Sequence, residues 1–191
     1  MKLSKAATLV WENRATLRFG SRKHWDEDSF LESWVNHESE GLWHNKEGVY
    51  WFSSSVTCDK LLEYQKPHDL PDSGCNFSEL AQINSSLLSG NLCHDYGLPI
   101  LYNGQRSQVF SRLRAHFKIS DGTGALGIHK YPLSAFEWSA SVFHVGMVKT
   151  IPGLTETERD YLTDLLCSET GRHAIEAAWR SEYGWPLLCK K

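Results

Sequence analysis

Tyr102-Asn-Gly-Gln-Arg-Ser-Gln-Val-Phe-Ser-Arg-Leu-Arg-Ala-His-Phe117 is the stretch on which the fold turns. It opens as the end of an apolar run, 99–102, that reads as a strand finishing at Tyr-x-Gly, with Gly104 as punctuation. Residues 107–118 then form a basic helix, because Val109, Phe110, Leu113 and Phe117 recur at the spacing of one packed stripe. Arg112 and His116 lie four residues apart on that helix and share a face. A permanently charged fork beside a proton-transfer group suits the cleavage of a phosphodiester.

Working outward, Gly48 to Phe52 is aromatic and β-branched and reads as a strand, and Trp138 to Val148 reads as a third. The fold class is therefore α+β. A small, mainly antiparallel sheet of three strands (about 48–53, 99–103 and 138–148) is flanked by helices in a single domain of 191 residues. Residues 1–45 read as a helical extension. An amphipathic helix over 8–24 carries Arg14, Arg18 and Arg22 at four-residue spacing, and a second helix spans Asp26 to His37. Residues 53–98 form an insertion too long to be structureless, so one or two short helices are expected in it. Thr155 and Glu158 make a capping box that opens a helix through Cys167. Gly171 separates it from a last helix, about 172–183, which Gly184 and Pro186 end.

Hydrophobic residues make up 41% of the chain and charged residues 23%, which excludes a disordered chain. No apolar run reaches the length of a membrane span, and no signal-like segment opens the sequence. The five cysteines form no Cys-x-x-Cys pair, so free thiols and a cytoplasmic location are expected. Cys58, His68, Cys75, Cys93 and His94 in the insertion lack the close spacing of ordinary zinc sites. The net charge of −3 is unevenly spread: residues 26–98 hold thirteen acids and three bases, whereas 1–25 hold six bases and one acid. Within 105–130 there are five bases against Asp121 alone, and a polyanion responds to such a local field. The tryptophans crowding the first third (Trp11, Trp25, Trp34, Trp43, Trp51) keep acidic company, which favours core packing and a subunit interface over base stacking.

The chain resembles the GIY-YIG nuclease superfamily. Gly48-Val49-Tyr50 stands for the first signature and Tyr102-Asn103-Gly104 for the second, with Asn in place of the usual apolar middle residue. Arg112-Leu113 and His116 follow at the family's spacing, and Glu176, on a helix ahead of Pro186, matches its later Glu. The likeness covers 46–53, 99–118 and 170–189. The chain departs from the pattern in the large insertion, in Arg106 where Ser is frequent, and in lacking the Asn that commonly follows the Pro.

Hydrolysis of a phosphodiester needs a base for water, a cation for the phosphate and help for the leaving oxygen. The resemblance implies Tyr50 as base with His116 assisting, Arg112 on the scissile phosphate, Tyr102 as an orienting group, and Glu176 as the one carboxylate on Mg²⁺ or Mn²⁺. A phenol titrates near 10 when free, and Arg112 with a dication beside it would favour the phenolate. Arg106, Arg114, Lys118 and the Arg14–Arg18–Arg22 stripe would meet the DNA backbone, while Gly48 and Gly104 are structural. The implied function is a metal-dependent DNA endonuclease, most like a type II restriction enzyme, acting on double-stranded DNA as a homodimer. Specificity would then come from 1–45 and the insertion. Rival readings are a structure-selective repair or recombination nuclease of the same superfamily, an inactive nucleic-acid-binding module, and a domain with no nucleic-acid role. For Glu176 itself the rival is a surface ion-pair ladder with Arg172 and Arg180.

Overall fold

The structure is a computed structural model that describes residues 1–20, 46–72, 74–85, 93–117, 125–133 and 135–190. The expected helix at Asp26 to His37, together with Arg22, Lys118, Trp25, Trp34 and Trp43, lies outside the described residues.

The fold is α+β, with a sheet of five strands and not three. Strands β1 (Ala15–Gly20), β2 (Gly48–Ser54), β3 (His94–Asp95), β4 (Leu98–Arg106) and β5 (Trp138–His144) are arranged in the order β1-β5-β2-β4-β3. Every pairing is antiparallel. Helices α1 (Leu3–Glu12), α2 (Cys58–Glu63), α3 (Phe77–Ser85), α4 (Val109–Phe117), α5 (Glu156–Cys167) and α6 (Glu169–Tyr183) cover its two faces. None is long and apolar enough to cross a membrane among the described residues.

Strand β2 is central and buried on both faces, which explains its nearly continuous apolar sequence. Alternate side chains point opposite ways, so the two faces separate cleanly. Tyr50 and Phe52 join Leu101, Val109, Leu113, Leu61 and Phe77 in a core under α2, α3 and α4. Val49 and Trp51 join Val10, Leu162, Ile175 and Trp179 in a second core under α1, α5 and α6. Trp11 packs against Trp51 and Trp179 at 5.2 and 5.4 Å, so these indoles are core residues. Full burial of each such large side chain contributes about 1.5–3 kcal/mol.

Four expectations need correction. The basic helix over 8–24 is not formed: α1 stops at Glu12, and residues 15–20 pair with β5 instead. The four-residue spacing of arginines matched a helix, but Thr16, Leu17 and Phe19 are strand formers and β5 offered an open edge. Strand β4 does not end at Tyr-x-Gly but continues through Gly104 to Arg106. Strand β5 stops at His144, whose Nδ1 accepts from Gly146 N, so 145–150 turns into a 3₁₀ helix. Finally, Gly171 lies inside α6; the break falls at Ser168, whose hydroxyl caps the new helix by accepting from Gly171 N. A Cβ at 171 would collide with the Leu165 backbone, so that glycine serves the close crossing of α5 and α6. The insertion holds α2, α3 and β3, in line with the short helices expected there, and the capping box at Thr155 and Glu158 is present.

Candidate active site

Strands β2 and β4 run side by side with Tyr50 opposite Gly104. The glycine is what admits the phenol: a Cβ at 104 would stand 2.5 Å from Tyr50 Oη and 2.7 Å from its Cζ. Gly48 is equally constrained, since a side chain there would strike the Phe143 carbonyl. Both signature glycines are therefore steric requirements of adjacent strands.

Helix α4 brings His116 over Tyr50, with Tyr50 Oη and His116 Nε2 2.8 Å apart. The other ring nitrogen, Nδ1, accepts from the Leu126 backbone N–H at 3.1 Å. A backbone N–H can only donate, so Nδ1 is unprotonated and the ring's proton sits on Nε2. His116 thus donates to Tyr50. Burial, then Arg112 and Arg106, hold its pKa well below the ordinary value, so it stays neutral. Arg112, one turn earlier and half-buried, favours the ionised form of both Tyr50 and Tyr102. The Tyr50 and Tyr102 rings lie 6.1 Å apart between centroids.

A donating imidazole and a nearby guanidinium therefore both favour the phenolate form of Tyr50. Burial works the other way and prevails here: the Tyr50 pKa is pushed up to about 12, with Arg112 only partly offsetting the loss of solvent. The expectation that Arg112 would pull this phenol down is thus met in sign but overridden in sum. Tyr102 is raised still more, again by burial first.

Glu176 comes from the other side of β4. Asn103 and Gln105 of β4 face α6, and they hold it. Gln105 accepts from Arg172 Nε at 2.8 Å and meets His173 Nε2 at 3.0 Å, and Asn103 Oδ1 accepts from Arg180 Nε at 2.9 Å. Glu176 Oε1 pairs with Arg180, and Oε2 lies 3.7 Å from His173 Nδ1. Arg172 is not part of an ion-pair ladder: it is 4% exposed and caps the Leu166 and Cys167 carbonyls that end α5. Burial raises the Glu176 pKa, and Arg180 and His173 pull against it.

A cavity of about 440 Å³ joins the two sides. Tyr50, Tyr102 and Arg112 line it from the α4 side, and His173, Glu176 and Arg180 from the α6 side. Residues 187–189 lead into Lys190, which lines the cavity, and are held from two sides: Leu188 N donates to Leu101 O at 2.7 Å, and Asn84 Nδ2 donates to the Leu187 and Cys189 carbonyls. This segment is anchored without the Asn that the resemblance led one to seek. The wall carries four fixed cations, Arg106, Arg112, Arg180 and Lys190, against the single acid Glu176. In a chain of net charge −3, that local excess makes the cavity electropositive.

Tyr50, Tyr102, Arg112, His116 and Glu176 are thus brought together, and exposed Arg106 stands at the same cavity. Arg114 lies on α4. Arg14 is elsewhere and occupied: it stacks on Trp11 and pairs with Asp95, which is 1% exposed and also accepts from Ser141 Oγ. Its role is to close the curled sheet, bringing β3 back towards β1. Arg18, exposed on β1, lies 3.8 Å from Glu137. Sequence reasoning missed Arg180 and Lys190 as cavity residues, and Asn103 as the partner of Arg180; the cluster of cations near the chain's last helix was the available signal.

Glu176 offers hard oxygen donors to a cavity with room for several waters, which fits a hydrated divalent cation held by one carboxylate. Among the described residues no three His, Cys, Asp or Glu side chains gather to hold a metal, so Cys58, Cys75, Cys93 and His94 build no zinc centre there, and the cysteines are free thiols. No family model, curated protein or solved structure matches this chain.

Proposed function

We propose that this protein is a divalent-cation-dependent DNA endonuclease of the GIY-YIG kind, acting as a homodimeric type II restriction enzyme on double-stranded DNA. The observation that carries the reading is the convergence of three remote stretches, 48–52, 102–116 and 176–190, on one cationic cavity around the Tyr50 hydroxyl.

Arg112 binds the scissile phosphate, its fork matching two phosphate oxygens. Lys190 and Arg106 attract the flanking backbone. In its phenolate form, its own proton already lost to solvent, Tyr50 Oη orients the attacking water and takes its proton. His116 cannot receive that proton, because Nε2 already carries one and Nδ1 is closed by Leu126. It steadies the phenolate by donation instead, alongside Tyr102. Glu176 would hold a divalent cation, which would supply Lewis-acid charge stabilisation to the reaction when bound. The exposed parts of the insertion and residues 1–45 remain for base recognition, since the catalytic group touches only backbone.

The test is purified protein with Mg²⁺ on mixed plasmid DNA, beside Glu176→Ala and Arg112→Ala. Discrete fragments, absent with either variant, are the expected result. Intact plasmid under all conditions removes the endonuclease reading, and random nicking moves it to a structure-selective nuclease. The raised Tyr50 pKa gives one specific support to a second reading, a binding module without turnover. That module would bind DNA in a salt-dependent way, and Tyr50→Phe would change nothing.

A further inference from the structure

Arg180 is held in a way that a surface ion pair does not require. Its Nε donates to Asn103 Oδ1 at 2.9 Å, its terminal nitrogen pairs with Glu176 Oε1, and its guanidinium lies over the Trp185 ring at 4.3 Å. The Arg180 and Glu176 side chains are 15% and 11% exposed. Asn103 is 2% exposed, and its Oδ1 takes a second bond from Cys189 Sγ at 3.2 Å, which fixes the amide. A helical i, i+4 pair in water needs none of this.

We infer that Arg180 is a positioning residue: anchored on Asn103, it occupies Glu176 Oε1 and so presents Oε2 as the oxygen that receives the cation. The inference rests on the reading of Glu176 as the cation's carboxylate. It gives the Asn between Tyr102 and Gly104 a role, since an apolar residue at 103 would leave the guanidinium without its anchor. Without Arg180 the carboxylate is free to rotate towards His173, 3.7 Å from Oε2. Partners of this kind, one bond behind a ligand, typically change metal affinity about 10–100-fold when removed.

The experiment is Mn²⁺ titration of the full chain by electron paramagnetic resonance, without DNA, on the unaltered protein, Arg180→Met, Arg180→Lys and Asn103→Val. Thermal melting of each is followed in parallel. The expected result is a Mn²⁺ Kd weakened about tenfold or more in Arg180→Met and Asn103→Val, with partial recovery in Arg180→Lys. A purely structural role would move the melts and leave the affinity of the folded fraction alone. Unchanged Kd in Arg180→Met and Asn103→Val overturns the inference and leaves the nuclease reading standing. Tighter Mn²⁺ binding in Arg180→Met also overturns it, because Arg180 would then be a competitor of the cation. An unaltered protein that takes up no Mn²⁺ overturns both this inference and the role given to Glu176. If Arg180→Met does not fold, Arg180→Lys and Asn103→Val decide by the same comparison.

Discussion

Gly104→Ala should destabilise the protein even though the backbone there is ordinary. Gly104 has no left-handed φ, so on conformational grounds alone alanine should gain about 0.4–1 kcal/mol. The new Cβ, however, would lie 2.5 Å from Tyr50 Oη, 2.7 Å from Cζ and 3.2 Å from Tyr102 Cε1. Tyr50 is 1% exposed and tied to His116 at 2.8 Å, so it has nowhere to retreat. Overpacking of this kind costs about 1–3 kcal/mol, which outweighs the backbone gain. For a chain of this size each kcal/mol lowers Tm by about 2–4 °C, so a fall of several degrees is expected. Urea unfolding of a double-mutant cycle isolates the cause. In a Tyr50→Leu background, where both close atoms are gone, Gly104→Ala should cost nothing or stabilise. The same cost in both backgrounds would refute the steric account, and a stabilised single variant would refute it more directly.

The remaining expectations follow from charge. With the Tyr50 pKa at about 12, the phenolate fraction grows about tenfold per pH unit below that value, so plasmid cleavage should climb steadily from pH 7 to 9. A flat profile over that range, or full activity in Tyr50→Phe, removes Tyr50 as the base. The same raised pKa favours the folded state while the phenol is protonated, so stability should decline as pH rises from about 10 towards 12. Arg14→Met strands the Asp95 carboxylate, and breaking a buried pair in this way costs about 3–5 kcal/mol. Urea denaturation should show that loss while DNA affinity of the folded protein stays unchanged. Weakened DNA binding at undiminished stability would return Arg14 to the DNA-contacting role.

The cluster around Tyr50 was legible because its residues carry chemistry at fixed spacing. Arg112 and His116 share a helix face by geometry alone, and the strand character of 48–52 and 99–102 follows from local composition. Strand β1 was not legible, because its partner is β5, over a hundred residues away, and the arginines imposed a helical period on a strand. Arg180 was hidden for a different reason. Glu176 and Arg180 read as one more exposed i, i+4 pair until β4 and Trp185 are seen to bury them. The raised Tyr50 pKa could not be foreseen either, since residue identity reveals Arg112 but not the depth of the phenol.

Tyr50 and Trp51 are consecutive on β2, one facing the cavity and the other facing Trp11 and Trp179 at 5.2 and 5.8 Å. Indoles that close exchange excitation, and the optical activity of such a group depends on the angles between rings. A twist of β2 as substrate engages the phenol must also turn Trp51 among its neighbours. The protein therefore carries its own chromophore on the reverse of the sheet, and circular dichroism should register events at a cleft that no tryptophan of that cluster lines.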